Sequence, residues 1–540
     1  MKKLKSILSL GLAAAMAVSI LAGCGKADTR DDASQNTSSQ SAIPSDVKLK
    51  YYTKNYISNE VKNMGDIKAI QEIQKETGVQ VEYIHPATGV DEAESFNLMI
   101  ASNQLPDIIF MEWASLPGGI TRYLTSNTIL KLNDLIDKNG LNYKAVLDKN
   151  PECKKSVTLD DGTMPGFYKL SPDQRTQAFA GFALRGDWLE KLKLQPPVTI
   201  DDWHTVLTAF KTQDPNGNGK ADEIPWTQSK EDGTSYRNFA EAYGLLSAFY
   251  IDPASGNIKF GPTEPAYKDF LATMASWYKE GLIDPDFATN DANAFNSKWK
   301  GDIGGSSFLG GIGGPIGTAI QEVRPKIPSF KPLGVSNPVG KDGKSYSTMS
   351  PLVEKASSGA ATITKECKYP EAAAKYLDYF YSDKGSALIN FGVEGETYAV
   401  QDGKKVFTDK IMKDPGGKAP LTVIGTYAVP TQAIAKVMDY DAWSQFILLY
   451  PEQKQASSLW AKEDTTLLLP SGLQFTSDES SQNSSIMNDV NTYMKEEELK
   501  IILGSSPVSN WDSVVGKVKA MDIDQVVKNY QNAYDRFKSR

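Results

Sequence analysis

The sequence has few of the residues that metal-dependent and thiol-dependent enzymes use. It contains three cysteines and two histidines in 540 residues. Cys153 and Cys367 cannot form the disulfide framework of a secreted protein of this size, and the sequence leaves open whether they pair. His85 and His204 lie outside any HExxH motif, and two histidines cannot build a histidine-rich zinc site.

Positive charge is also scarce. The chain has 58 basic and 66 acidic side chains, and its formal net charge is -8. Because a nucleic-acid-binding protein needs a concentrated basic face, we expect no nucleic-acid partner. The 9 tryptophans and 24 tyrosines point to another class of ligand, since an aromatic ring with a polar edge suits the face of a sugar.

Long apolar runs are absent beyond the N-terminus. Residues 1–23 combine three lysines, an apolar stretch and "LAG" directly before Cys24. This pattern is typical of a bacterial lipoprotein signal, in which the cysteine thiol is acylated; a plain secretory signal with an incidental cysteine is the alternative. The polar composition of residues 24–46 predicts a flexible linker. We expect a lipid-anchored protein at the extracellular face of the cell membrane.

The chain then alternates between strand and helix patterns. "VKLKYYT", "VQVEYI" and "DIIFM" are predicted strands, separated by amphipathic helices. This order predicts an α/β fold with a largely parallel sheet, whose ligands bind beyond the carboxyl ends of the strands. Asn55, Trp113 and Tyr168 are therefore candidate ligand contacts. Trp113 is the main candidate for stacking on a sugar, and the alternative is that it packs over the edge of the sheet.

The stretch "DPNGNGKADE" places oxygen-bearing side chains at short intervals around two glycines. Calcium takes six to eight oxygen ligands, and a loop of this kind supplies them. Pro225 stands where an EF-hand has its bidentate glutamate, so the loop is not an EF-hand. A solvated polar turn is the alternative. The predicted ligands of a structural calcium ion are Asp214, Asn216, Asn218, the backbone carbonyl of Lys220, Asp222 and Glu223.

Catalytic motifs are absent from the sequence. It contains no GxSxG, and the glycine-rich segment 304–317 lacks the GxGxxG spacing. Among so many acids, however, a glycosidase carboxylate pair stays open, because such a pair is defined in space.

Several segments carry a family resemblance. "ASNQLPDII", "LRGDWLEKL", "KTQDPNGNGKADEIP", "EGLIDPDF" and "GVEGETY" occur in this order. From about Val47 to Phe537 the chain resembles family 1 extracellular solute-binding proteins, in the lipoprotein branch of carbohydrate ABC transporters that includes alginate-oligosaccharide-binding proteins. The resemblance implies a two-lobed, periplasmic-binding-protein-like fold of type II. Each lobe would be a mainly parallel sheet flanked by helices, and a hinge would join the lobes. It also implies the calcium loop.

The expected lobes interleave along the chain. Lobe 1 would comprise residues 47–178 and 356–425, and lobe 2 residues 179–355 and 426–540, with the calcium loop. Arg185 would either clamp an acidic group of the ligand or pair with Asp187 or another acid across the hinge. The remaining candidates for the wall of the cleft between the lobes are Phe308, Glu394 and Tyr398.

These observations predict a monomeric binding protein and not an enzyme. It would capture an oligosaccharide in the cleft by hinge closure and deliver it to an ABC transporter permease. The alternatives are an extracellular glycosidase or polysaccharide lyase, and a signalling lipoprotein that binds a peptide.

Overall fold

The computed structural model describes residues 47–54, 60–87, 89–230, 235–347, 356–430 and 434–540. The predicted signal segment, the linker with Cys24, and Asn55 lie outside the described residues. All described residues belong to one compact unit, which contains two main sheets.

Thirteen strands occur in the described part of the chain. They are β1 Lys48–Tyr52, β2 Gln80–Ile84, β3 Ile108–Glu112, β4 Phe167–Leu170, β5 Gly181–Arg185, β6 Ile224–Trp226, β7 Phe249–Ile251, β8 Ile258–Phe260, β9 Gly304–Leu309, β10 Pro332–Gly334, β11 Ala356–Ile363, β12 Tyr398–Gln401 and β13 Lys404–Phe407.

The α-helices of the described part pack around these strands. They are α1 Lys68–Thr77, α2 Glu92–Ala101, α3 Gly119–Thr125, α4 Asn133–Asn139, α5 Leu141–Lys149, α6 Pro151–Val157, α7 Gly186–Leu192, α8 Ile200–Thr212, α9 Pro265–Lys279, α10 Ala292–Lys300, α11 Ala319–Val323, α12 Pro370–Tyr379, α13 Asp383–Phe391, α14 Asp409–Met412, α15 Pro420–Ile424, α16 Tyr440–Ile447, α17 Pro451–Trp460, α18 Ser477–Ile502, α19 Trp511–Ala520 and α20 Ile523–Ser539. Shorter 3₁₀ or π segments span Met64–Asp66, Trp113–Ser115, Gln174–Gln177, Ser235–Tyr243, Gly261–Thr263, Ile312–Thr318 and Val508–Asn510.

Local sequence signals set several helix boundaries. α1 ends before Gly78, which takes a left-handed φ of 69° that glycine adopts without strain. α8 begins with a capping box. The Thr199 hydroxyl accepts a hydrogen bond from the backbone N–H of Asp202, and the backbone N–H of Thr199 donates to the Asp202 carboxylate. Thr476 and Glu479 form the same arrangement at the start of α18.

The first sheet has the strand order β2-β1-β3-β11-β4. β1 pairs in parallel with β2 and β3, which confirms the α/β arrangement predicted from the sequence. β11 is inserted between β3 and β4 and is antiparallel to both. The sheet therefore includes a strand from a distant part of the chain.

The second sheet has the order β10-β5-β9-β6. β5 is antiparallel to β9 and to β10, and only β6 and β9 pair in parallel. The expectation of mainly parallel sheets thus holds for β2-β1-β3 and is wrong for the second sheet. The reason is topological, because β5 is reached directly from the first sheet and not through a βαβ crossover within its own sheet.

The C-terminal helices share a hydrophobic core with the second sheet. This core contains Phe182 of β5, Trp203 of α8, Trp226 of β6, Val490 of α18 and Val526 of α20, all buried. Cys153 and Cys367 are both buried, and no disulfide joins them. No helix in the described ranges has both the length and the apolar composition to span a membrane.

Candidate functional site

A cavity of ≈ 920 Å³ lies beyond the carboxyl end of β3. One side is formed by the segment after β3, by α6 and by β4. The other is formed by the 3₁₀ segment Ser235–Tyr243, the start of β7, residues 469–475, α18 and α20. Its size is within the roughly 300–1,000 Å³ of ligand sites in proteins. The polar and aromatic side chains that line it are Trp113, Thr121, Ser156, Tyr168, Arg237, Asn238, Glu241, Ser247, Phe249, Ser471, Gln474, Phe475, Ser480, Asn491 and Tyr530.

Three aromatic rings form a cluster in the wall. Phe249 stacks on Tyr530 with ring centroids 4.0 Å apart and an interplanar angle of 12°. Phe475 meets Tyr530 edge-on at 4.7 Å. Phe475 and Tyr530 are only half-buried, so this cluster offers aromatic surface at the cavity wall. Such surface suits the apolar face of a sugar ring.

Arg237 is fixed in the wall by a buried carboxylate. Its Nε donates to Oε2 of Glu498 at 2.8 Å, and its Nη2 lies 2.8 Å from the same oxygen. Glu498 lies on α18, is fully buried, and also accepts hydrogen bonds from the hydroxyls of Tyr236 and Tyr267, each at 2.9 Å. Three side chains from three segments thus hold the guanidinium in one orientation.

Glu241 lies on the same 3₁₀ segment and is 3% exposed. Its Oε2 has no hydrogen-bond partner among the described residues. Burial, and secondarily the charge of Glu463, raises the pKa of Glu241 well above its ordinary value. Burial also raises the pKa of Glu463 to about 8, although Oε1 of Glu463 accepts from the backbone N–H of Asn337 at 3.0 Å. Burial in the folded protein therefore favours the uncharged form of Glu241.

Trp113 and Tyr168 line the cavity, Trp113 from the segment directly after β3 and Tyr168 from within β4 and not from the turn predicted there. Trp113 is only 2% exposed. Its indole N–H donates to the carbonyl oxygen of Ala360 on β11 at 2.9 Å, and its ring packs against Phe96 and Tyr123. In this arrangement the ring fills space under the cavity wall and offers little of its face to a ligand. The sequence also allowed Trp113 to pack over the edge of the sheet, and the observed geometry matches this alternative.

Arg185 is buried in an ion-pair network outside the cavity lining. Its Nε and Nη2 donate to the two carboxylate oxygens of Asp187 at 2.8 and 2.5 Å, and its Nη1 donates to Asp302 at 2.5 Å. The guanidinium also lies over the rings of Trp188 and Phe330. The side chain is 1% exposed and its charge is matched. Of the two roles left open by the sequence, the geometry matches pairing with Asp187.

The other predicted cleft residues lie in two different places. Phe308 on β9 packs edge-on against Phe182 at 5.3 Å and borders the core of the second sheet. Glu394 and Tyr398 are close to each other, and Tyr398 belongs to a separate core cluster with Phe391. The structure does not bring these three residues together, and none of them lines the cavity.

The loop Asp214–Glu223 is tightly organised. The Asp214 carboxylate accepts from the backbone N–H groups of Gly217, Asn218 and Gly219 at 2.9 to 3.1 Å. Gly217 and Gly219 both have a φ of 75°, which lets the backbone wrap around the carboxylate. The side-chain amide of Asn218 donates to Asp222 at 3.0 Å. Predicted calcium ligands therefore lie side by side in this loop.

Glu223 differs from the other acids of the loop. Both of its carboxylate oxygens are buried without a hydrogen-bond partner of good geometry. Burial raises its pKa, and the charges of Asp214 and Asp222 add to this effect. In the part of the chain that the structure describes, no three or more histidine, cysteine, aspartate or glutamate side chains form a ready cluster for a metal ion.

The sequence matches a family profile over residues 62–387, which is more than half of the chain. The profile is that of the bacterial extracellular solute-binding proteins. The chain therefore belongs to this family, whose members are binding proteins and not enzymes. The fold is that of the two-lobed, type II periplasmic-binding proteins.

Individual relatives agree with this assignment. The chain is 29% identical over 336 residues to the fructooligosaccharide ABC transporter substrate-binding protein FusA of Streptococcus pneumoniae serotype 4, a match covering 61% of this chain and 60% of FusA. It is 26% identical over 352 residues to lipoprotein LipO of Bacillus subtilis, covering 63% and 65% of the two chains. Each match thus spans less than two thirds of the curated relative.

Among solved structures, the alginate-binding protein AlgQ2, crystallised without calcium ion, is similar to this chain with a TM-score of 0.68 and 27% identity. The superposition covers 91% of this chain and 98% of AlgQ2.

Sequence reasoning missed the residues on the far wall of the cavity. Arg237 and Glu241 lie in a 3₁₀ segment without strand or helix periodicity, and Phe475 and Tyr530 lie in the C-terminal quarter of the chain. No local pattern marks them. Tyr530 reaches the cavity because α20 packs onto the core of the second sheet.

Proposed function

We propose that the protein captures an oligosaccharide in the cavity and delivers it to an ABC transporter permease. The observation that carries this proposal is the cavity itself, which combines a partly buried aromatic cluster with hydroxyl, amide and guanidinium groups. Sugars are recognised by this combination of aromatic faces and convergent polar groups. FusA, a relative of the chain, is named for binding fructooligosaccharides.

Calorimetry on purified protein tests this function. We expect at least one oligosaccharide from a broad panel to bind with a stoichiometry of one and to be recovered intact. Recovery of shortened or unsaturated products would indicate a glycosidase or lyase. Binding of peptides but of no sugar would favour the signalling alternative.

We also propose that the loop Asp214–Glu223 holds a structural calcium ion. The support is the pair of orphaned, buried carboxylate oxygens of Glu223 beside two further acids, because a buried carboxylate without a partner is costly and a bound cation offsets that cost. Asp214, Asn216, Asn218, the Lys220 carbonyl, Asp222 and Glu223 would hold the ion. The calcium ion would neutralise the negative charge of the loop, and these residues would fix the position of the ion.

The lipid anchor is a further part of the proposal. The cysteine after "LAG" supports acylation of Cys24, and the relative LipO is named a lipoprotein. The anchor would hold a monomeric binding protein on the outer face of the membrane, next to its permease.

The lobes would have the boundaries expected from the sequence. Placement of β11 in the first sheet supports grouping residues 356–425 with 47–178. Packing of α18 and α20 into the core of the second sheet supports grouping residues 426–540 with 179–355. The cavity would then lie between the lobes and close by hinge motion. Asn55 stays a predicted ligand contact.

A further inference from the structure

The described cavity wall contains one guanidinium and one carboxyl group. These are Arg237 and Glu241, and no other Asp, Glu, Lys, Arg or His is among the described residues that line the cavity. Both lie on the segment Ser235–Tyr243. The state of these two groups therefore sets the charge that the described wall presents to a ligand.

The charge of Arg237 is already matched by a carboxylate. Glu498 is fully buried, lies within 2.8 Å of both Nε and Nη2, and is held in turn by two tyrosine hydroxyls. The hydrogen bonds to Glu498 come from Nε and Nη2, and the Arg237 side chain keeps 22% of its surface exposed at the cavity wall. Arg237 thus presents free N–H donors to the cavity while its charge is already balanced.

In its uncharged form Glu241 supplies no counter-charge for a cationic ligand. In its ionised form it repels an anionic ligand. It is buried, and the second buried carboxyl, Glu463, is close enough to raise its pKa further. A ligand carboxylate in this cavity would lose its hydration and find no unpaired cation in the described wall. Burying a charge without a partner is strongly unfavourable.

The rest of the polar wall consists of uncharged groups. Thr121, Asn238, Ser247, Gln474, Ser480 and Asn491 supply hydroxyls and amides, which donate and accept hydrogen bonds. These groups, together with the donors of Arg237 and the rings of the aromatic cluster, are complementary to sugar hydroxyls and to the apolar faces of sugar rings.

We propose that the cavity selects uncharged oligosaccharides over acidic, uronate-containing ones, and that Arg237 is a ligand-binding residue that donates to sugar hydroxyls. This inference rests on the proposed function, since it names the chemical class of the ligand at the same site. AlgQ2 is named for binding alginate, which is acidic, whereas FusA is named for fructooligosaccharides, which are neutral. The charge balance of the wall assigns this chain to the neutral class.

The first experiment compares ligands of matched length by calorimetry on the purified full chain. The neutral set contains tri- and tetrasaccharides of glucose, galactose, mannose, xylose and fructose. The acidic set contains galacturonate, mannuronate and guluronate oligomers, each paired with its carboxyl-reduced form. We expect the tightest ligand to be neutral and at least about tenfold tighter than any acidic one. If an acidic oligomer bound most tightly, this inference would be overturned and the proposed function kept. If no oligosaccharide bound, the proposed function would itself be overturned, and this inference with it.

The second experiment tests Arg237 with its buried partner removed. The double variant Arg237→Gln/Glu498→Gln leaves no unpaired buried charge, so the fold is preserved. We expect it to bind the neutral ligand at least about tenfold more weakly. The matched control is Arg324→Gln/Glu452→Gln, which removes another arginine–glutamate pair that does not line the cavity. Equal affinity in the Arg237 double variant and its control would overturn the assignment of Arg237.

Discussion

Arg536 on the last helix donates from Nε to the Asp160 carboxylate at 2.9 Å, across 376 residues of sequence. The other oxygen of Asp160 accepts from Nε of Arg540 at 2.8 Å. Arg540 also donates to the carbonyl oxygen of Gly472, which lines the cavity. The Arg540 side chain is almost fully buried. Asp160 therefore ties the C-terminus to the rim of the cavity.

We expect Asp160→Asn to lower stability, because Arg540 would keep a buried charge without its carboxylate. Breaking a fully buried pair costs about 3–5 kcal/mol, and the partial exposure of Asp160 reduces this to about 1–2 kcal/mol. Urea denaturation measures the loss. Asp148→Asn is the control, since Asp148 pairs with Lys154 on the surface. Equal losses in the free energy of unfolding for the two substitutions would show that the ion pairs of Asp160 with Arg536 and Arg540 contribute no more than a surface pair.

Calcium removal should destabilise the protein. A ligand that binds only the native state adds about 2.7 kcal/mol at a hundredfold excess over Kd. We therefore expect EDTA to lower the melting temperature of the wild type and to have little effect on Asp222→Ala. Asp252→Ala alters another Asp-Pro turn and should stay sensitive to EDTA. A wild-type melting curve that EDTA does not move would identify the loop as a polar turn.

Trp113→Ala should mainly affect stability. The ring is buried between Phe96 and Tyr123, and its N–H is bonded to Ala360. Truncating a buried tryptophan costs about 3–5 kcal/mol, which thermal or urea unfolding would detect. Trp113→Phe should cost less, because it keeps an aromatic ring. A large loss of sugar affinity at unchanged stability would instead support the stacking role predicted from the sequence.

Stability should fall as the pH rises from about 5 to 8, and Glu463 should contribute to this fall. Burial raises the pKa of Glu463 in the folded state to about 8. Between its ordinary pKa and about 8 the unfolded chain loses the proton while the folded chain keeps it, so each pH unit costs up to about 1.4 kcal/mol. Glu463→Gln keeps an acceptor for Asn337 and should be more stable than the wild type at pH 8 but not at pH 4.

Denaturation at the two pH values measures this difference. Glu366, which is exposed, serves as the control, and Glu366→Gln should show no pH-dependent gain. If Glu463→Gln had the same effect at both pH values, the carboxyl of Glu463 would not be retaining its proton in the fold.

Cys24→Ser should release the protein into the medium or leave it unprocessed, because the thiol that accepts the lipid is lost. Cell fractionation and labelling with a fatty acid would show this. Cys153→Ala is a suitable control, since Cys153 is buried in the fold and should not affect labelling. A processed, membrane-bound Cys24→Ser protein would contradict the anchor.

The parts of the fold that could be predicted depend on local patterns. Strand and helix periodicity places β1, β2 and β3, and the spacing of oxygens marks the loop Asp214–Glu223. The prediction that Trp113 directly follows β3 was also correct. The burial of its ring, however, is set by neighbours from α2, α3 and β11, and the sequence does not show that these elements meet at Trp113.

The far wall of the cavity could not be predicted for a similar reason. Arg237 and Glu498 are 261 residues apart, and only the folded chain brings them within 2.8 Å. The antiparallel pairing in the second sheet likewise depends on which strands meet, and strand periodicity is the same for both orientations.

The insertion of β11 into the first sheet constrains the order in which the protein acquires its structure. The hydroxyl of Thr362 donates to the carbonyl oxygen of Ile109 across 253 residues, so the edge of β3 that faces away from β1 lacks its partner strand until most of the chain has been synthesised. Closing such a long loop makes folding slow, and β3 and β4 keep open edges in the meantime. If the proposed signal segment directs export, a first sheet completed this late would keep the chain unfolded while it crosses the membrane.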